Sequence, residues 1–99
     1  MTSHFNLPDW LSPQQKIVLT LFIEHPGHHV STDQFCEVLY GEHRDKGPAP
    51  AKLRVLIQRC RDIIDEITNN RAEVTIRRNS GWKISRKDVL ILKRCLAKL

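Results

Sequence analysis

Residues 50–67, PAKLRVLIQRCRDIIDEI, constrain the chain more than any other stretch. At about 100° per residue, Leu53, Leu56, Ile57, Cys60, Ile63, Ile64 and Ile67 gather on one side of a helix. Ala51, Arg54, Val55, Gln58, Arg59 and Asp62 face away, with Lys52 and Arg61 on the flanks. The apolar stripe anchors the helix in a core along its whole length. Its charges run against the helix dipole: Lys52, Arg54, Arg59 and Arg61 lead, and Asp62, Asp65 and Glu66 trail. Local helix stability does not account for that order, whereas docking of an external anion does. For this helix taken alone, a solvated charged face is the plain alternative.

Two shorter helices are predicted before it. Ser12, Pro13 and Gln15 form a capping box with proline at the first helical position. Ile17, Val18, Leu21 and Phe22 follow as the inward stripe, and His25, Pro26 and Gly27 stop the helix. His28, His29 and Val30 read as extended. Ser31 to Gln34 make a second capping box, and Phe35, Val38 and Leu39 point inward with Cys36 beside them. This helix of roughly nine residues ends at Tyr40 and Gly41 and is expected to pack across the 50–67 helix. Residues 41–50, rich in glycine, proline and polar side chains, form a long surface loop. Pro50 begins the third helix and Asn69-Asn70 ends it.

The period then changes from 3.6 to 2. Val74 and Ile76, a turn at Asn79-Ser80-Gly81, then Trp82 and Ile84 spell a β-hairpin. Val74, Ile76, Trp82 and Ile84 face inward, and Arg77, Arg78 and Lys83 lie toward the tip. Ser85 to Asp88 cap a last helix, whose stripe of Val89, Leu92, Leu96 and Leu99 is widened by Leu90, Ile91 and Cys95. So broad a stripe is either wedged against the domain on two sides or shared with a second chain. At the other end, Leu7 to Leu11 form an apolar clip with Trp10 half buried.

Composition narrows the function classes. Ninety-nine residues make one domain. No apolar run approaches the ~18 residues of a membrane span, and the start lacks a secretory pattern, so the chain reads as cytoplasmic. Cys36, Cys60 and Cys95 are widely spaced and read as buried thiols. His25, His28 and His29 lack the companions of a metal site, and no cofactor is implied. No nucleophile with a base, carboxylate pair or glycine-rich phosphate loop suggests catalysis. The net charge of +5 conceals an asymmetry: residues 1–43 hold Lys16 against five carboxylates, and the rest hold fifteen Lys and Arg against six. A basic half of this kind is the electrostatic footprint of a nucleic-acid binder.

Three helices, the third of them basic, and a basic hairpin describe a winged helix-turn-helix, a mainly α fold with a small β-hairpin and here an extra C-terminal helix. LSPQQKIVLTLFIEHPGHHVSTDQFCEVLYG resembles the first two helices of the OmpR/PhoB-type effector domain, the DNA-binding half of many bacterial response regulators. LRVLIQRCRDII resembles that family's recognition helix, and IRRNSGWKI its wing, with Arg78, Gly81 and Trp82 in matching places. The expected layout is an arm at 1–10, the winged domain at 11–85, and a packing or dimerisation helix at 86–99.

The resemblance implies sequence-specific binding of double-stranded DNA. Arg59, with Gln58, Arg54 and Val55, would face base edges in the major groove. Lys52, Arg61, Lys46, Arg77 and Lys83 would meet phosphates, and Arg78 would enter the minor groove. Loop 41–50 sits where family members contact RNA polymerase. Leu92, Leu96, Leu99 and Ile91 are the candidates for a homodimer on DNA. Several features depart from the family. These residues contain no receiver domain or phosphoacceptor pattern, the family's N-terminal sheet is missing, and Cys60 replaces a preferred leucine. A bacterial or phage factor that binds polymerase or another regulator through protein contacts is the alternative.

Overall fold

The computed structural model describes residues 7–42, 49–77 and 81–99. In chain order they form α1 (Pro13–Glu24), β1 (Val30–Ser31), α2 (Thr32–Tyr40), α3 (Ala51–Thr68), β2 (Val74–Arg77), β3 (Gly81–Ile84) and α4 (Arg86–Ala97). This is the mainly helical winged-helix architecture expected from the sequence.

Local chemistry starts and stops these helices. Ser12 Oγ accepts from the Gln15 amide at 3.1 Å while Gln15 Oε1 accepts from the Ser12 amide at 2.9 Å, so the first capping box is complete. Ser31 and Ser85 cap α2 and α4 with the serine half of such a box alone, accepting from the Gln34 and Asp88 amides at 3.0 and 3.2 Å. Gly41 (φ 66°) closes α2, and Asn69 (φ 56°) with Asn70 (φ 61°) closes α3 in left-handed conformations that asparagine and glycine tolerate. Pro50 is the residue before α3 rather than its first, so this helix begins without a side-chain cap.

The sheet has one more strand than the hairpin read from the sequence. β3 lies in the centre, antiparallel to β2 on one side and to β1 on the other, with Ile76 and Val30 both opposite Trp82. Ser31 therefore serves twice, as the partner of Gly81 in the sheet and as the cap of α2. The turn after α1 is tied to the same strand, since the Gly27 amide donates to the Ile84 carbonyl at 2.8 Å.

The core lies between the helices and the inner face of this sheet. Phe35 is its centre, edge-on to Phe22 at 5.6 Å and to Trp82 at 5.7 Å. The buried Thr68 hydroxyl donates to the Ile64 carbonyl at 2.7 Å and accepts from the Ala72 amide at 3.3 Å, fastening the end of α3 to the approach to β2.

Several expected core positions move. Cys36 takes the inward place predicted for Val38, which is exposed, because Thr32, Phe35, Cys36 and Leu39 are the residues that share one side of α2. α2 packs on α1 and β1, and at its end Tyr40 meets Lys52 of α3. Leu19 and Ile23 widen the buried stripe of α1, and Ile17 is only half buried. Ile76 is 61% exposed although its partner Trp82 is buried, and position along the strand decides this, because Val74 on the same strand and face is buried while Ile76 lies nearer the hairpin turn. Trp10 is 62% exposed beside Leu99, not half buried, while Leu11 alone of the clip enters the core fully.

α4 packs against both α3 and α1 with Val89, Leu92 and Leu96 in the common core. Leu92→Ala should therefore cost about 3 kcal/mol in urea unfolding, against little change for the exposed Leu90→Ala.

Candidate nucleic-acid interface

The apolar stripe of α3 leaves its opposite side to solvent. Ala51, Lys52, Arg54, Val55, Gln58, Arg59 and Asp62 are exposed, and Arg61 on the flank is half buried. α4 packs against the core side of this helix, so the outer face is not covered by the end of the chain. Val55, at 54% exposure, is the large apolar side chain of this strip.

The residues on this face differ in how free they are. Gln58 Nε2 donates to Asp62 Oδ1 at 3.1 Å, a bond along one helix turn that a base edge can replace. Lys52 Nζ lies 2.6 Å from Glu42 Oε1 and 4.0 Å from the centre of the Tyr40 ring. The Glu42 hydrogen bond raises the Lys52 pKa above its ordinary value, and burial raises that of Tyr40 in spite of the lysine. Lys52 thus bridges the end of α2 to the start of α3, a role the sequence did not disclose because its partner is ten residues away across the loop. Arg54 and Arg59, by contrast, meet no carboxylate among the described residues.

No acidic residue occupies the first turn of α3, and no side chain caps it, so the positive end of the helix dipole stays available at the leading edge of the basic face. On the hairpin Lys83 is half buried, and the Thr75 hydroxyl donates to its carbonyl at 3.4 Å. Lys46, Arg78 and the Arg77 side chain lie outside the described residues. Cys60 faces the core, where burial pushes its thiol up to about 12, so the residue that replaces the family's leucine behaves as a small hydrophobe.

The dimerisation candidates separate in the same way. Leu92 and Leu96 are consumed by the domain's own core and are not available to a second chain. Ile91 is half buried, and Leu99 is exposed beside Trp10. His25 Nδ1–H donates to the Leu21 carbonyl at 2.8 Å, closing α1. No described helix is long and apolar enough to cross a membrane.

Curated proteins and solved structures give no significant match. A family model described as "Transcriptional regulatory protein, C terminal" matches residues 8–84, which takes in α1 through the last residue of β3. That span includes the exposed basic face of α3 and the hairpin, and leaves α4 outside. The chain belongs to this family, the OmpR/PhoB-type C-terminal effector domains, a DNA-binding regulatory family and not a catalytic one.

Proposed function

We propose that the protein is a cytoplasmic transcriptional regulator that reads double-stranded DNA with α3 in the major groove and the 74–84 hairpin against the adjacent minor groove. The observation that carries this reading is the outer face of α3, where Arg54 and Arg59 stand exposed and unneutralised beside Val55 and Gln58. Arginine offers two parallel donors to guanine O6 and N7, glutamine can pair with adenine, and a small apolar side chain suits the thymine methyl group. Arg61 on the flank of α3 and Lys83 on the hairpin are the proposed phosphate contacts, which set affinity and salt dependence more than sequence choice. Lys52 contributes as a phosphate contact only after exchanging Glu42 for the phosphate. Arg78 is the proposed minor-groove residue, and loop 41–50 the proposed polymerase contact.

A single winged helix makes a small DNA interface, so specific regulation calls for two copies on neighbouring half-sites. Selection from a random duplex pool should return a defined motif, repeated at about one helical turn. Arg59→Ala should then lose about 1–3 kcal/mol, roughly 5- to 150-fold, on the selected duplex and much less on a scrambled one. An unchanged ratio between the two duplexes would remove Arg59 from base recognition.

A further inference from the structure

Two helix faces that DNA binding does not use are complementary. α4 exposes Arg86, Lys87, Lys93, Arg94 and Lys98, with Leu90 among them at 54% exposure. At 100° per residue these six side chains span an arc of about 140° with Leu90 near its centre. Asp88, the one acid in this helix, is turned to the Glu73 amide, from which it accepts at 3.0 Å, and no described carboxylate neutralises the five cations. Beside Leu90 is a cleft of about 260 Å³ with Ile23, Pro26 and Val89 in its walls and Arg86 and Lys93 lining it as well. The Arg86 stem is laid over Gly27, where an added β-carbon would come within 3.0 Å of its Cγ.

α2 has the opposite character. It holds no lysine or arginine, and it exposes Asp33, Glu37 and Val38. Asp33 sits in the first turn, where the helix dipole favours it, but neither Glu37 nor the exposed Val38 has such a local reason. α1 packs on both helices, α2 also adjoins β1 and, through Tyr40, α3, and α4 adjoins α3. The acidic face of a copy is therefore not seated on its own basic face.

We propose that α2 of one copy docks on α4 of the next, with Val38 in the cleft beside Leu90 and Asp33 and Glu37 against Arg86 and Lys93. This rests on the reading that two copies act together on DNA, and it names the surfaces by which they meet. The contact is heterologous: each end copy keeps one face free, so copies add head to tail instead of closing as a two-fold pair. The patches are small, so association is weak in solution and strongest between copies held side by side on one duplex. A nucleic acid on α4 would use the cations and leave the apolar cleft empty, which favours a protein surface there.

Sedimentation equilibrium of the whole chain at low salt, without DNA, tests this. The average mass of the native protein should climb above 11.5 kDa with concentration and fall back when salt is added. Asp33→Lys with Glu37→Lys in one variant, and Arg86→Glu with Lys93→Glu in another, should each weaken association at least about tenfold. Mixing the two variants in equal amounts should restore it. All four positions are exposed, so circular dichroism should show both variants folded. A native mass constant at every concentration, variants that associate as the native chain does, or a mixture that fails to recover would each overturn the proposal. So would an α4 variant that still self-associates but loses affinity for duplex DNA, which would make that face a nucleic-acid surface. With DNA left out of the sedimentation, the outcome is independent of the Arg59 test.

Discussion

Phe35→Ala is expected to destabilise the protein by about 3–5 kcal/mol, among the largest losses for a single truncation of this core. Phe35 is fully buried and joins three parts of the fold, since its ring lies edge-on to Phe22 of α1 and to Trp82 of β3 while its backbone belongs to α2. Removing the ring leaves a cavity bordered by two other aromatic groups on different elements, neither of which can move inward without breaking its own contacts. A domain of this size holds about 5–15 kcal/mol in total, so the variant should unfold at far lower urea and melt at least about 12 °C lower. Val38→Ala, three residues along on the exposed side of the same helix, should change the urea midpoint little. If the two substitutions cost the same, α2 does not pack as described.

Gly81→Ala should cost on the order of 4 kcal/mol, far beyond the usual effect of adding one methyl group. Gly81 begins the central strand at φ +154° and lies opposite both Ser31 and Arg77. A β-carbon there would overlap the Val30 carbonyl oxygen and stand 3.0 Å from the Ser31 Cα, both of them main chain. No rotamer relieves that overlap, so β1 must separate from β3. Because Ser31 also caps α2, the disturbance reaches the helix-turn-helix as well as the sheet. Denaturant unfolding should show the loss, and hydrogen exchange should show the Val30 and Trp82 amides losing protection first. An alanine variant as stable as the native chain would contradict this strand pairing.

What was legible in the sequence followed from short-range rules. Ser12, Ser31 and Ser85 cap helices because each precedes a run of helical period, and Gly41 and Asn69 end helices because they accept left-handed backbone. The separation of Leu53, Leu56, Ile57, Cys60 and Ile64 from Arg54, Val55, Gln58 and Arg59 follows from period alone, so the exposed strip of the candidate site was visible before the fold.

Features set by contacts between distant segments were hidden. Two residues are too few to show a strand period, so nothing announced that Val30 and Ser31 pair with Trp82 and Gly81. Val74 and Ile76 look equivalent in an alternating pattern, yet the one farther from the hairpin turn is buried and the one nearer it is exposed. Thr68 reads as a polar residue at the end of a helix, whereas its hydroxyl is a buried link between two elements. The apolar breadth of residues 89–99 fits a dimer helix or a packed one equally well, and only the placement of Leu92 and Leu96 against α1 and α3 separates these. At the site itself, Lys52 looked like another free cation because Glu42 and Tyr40 meet it only once the loop has brought α2 and α3 together.

The central claim is that DNA docks on the outer face of α3. An NMR titration of the isotope-labelled chain with a short selected duplex tests it directly, by mapping which residues feel the ligand. The largest shifts should fall on Arg54, Val55, Gln58 and Arg59, extend to Lys83 on the hairpin, and weaken together as salt rises. Shifts concentrated on Arg86, Lys93 and Arg94 of α4, with the outer face of α3 unmoved, would contradict the account.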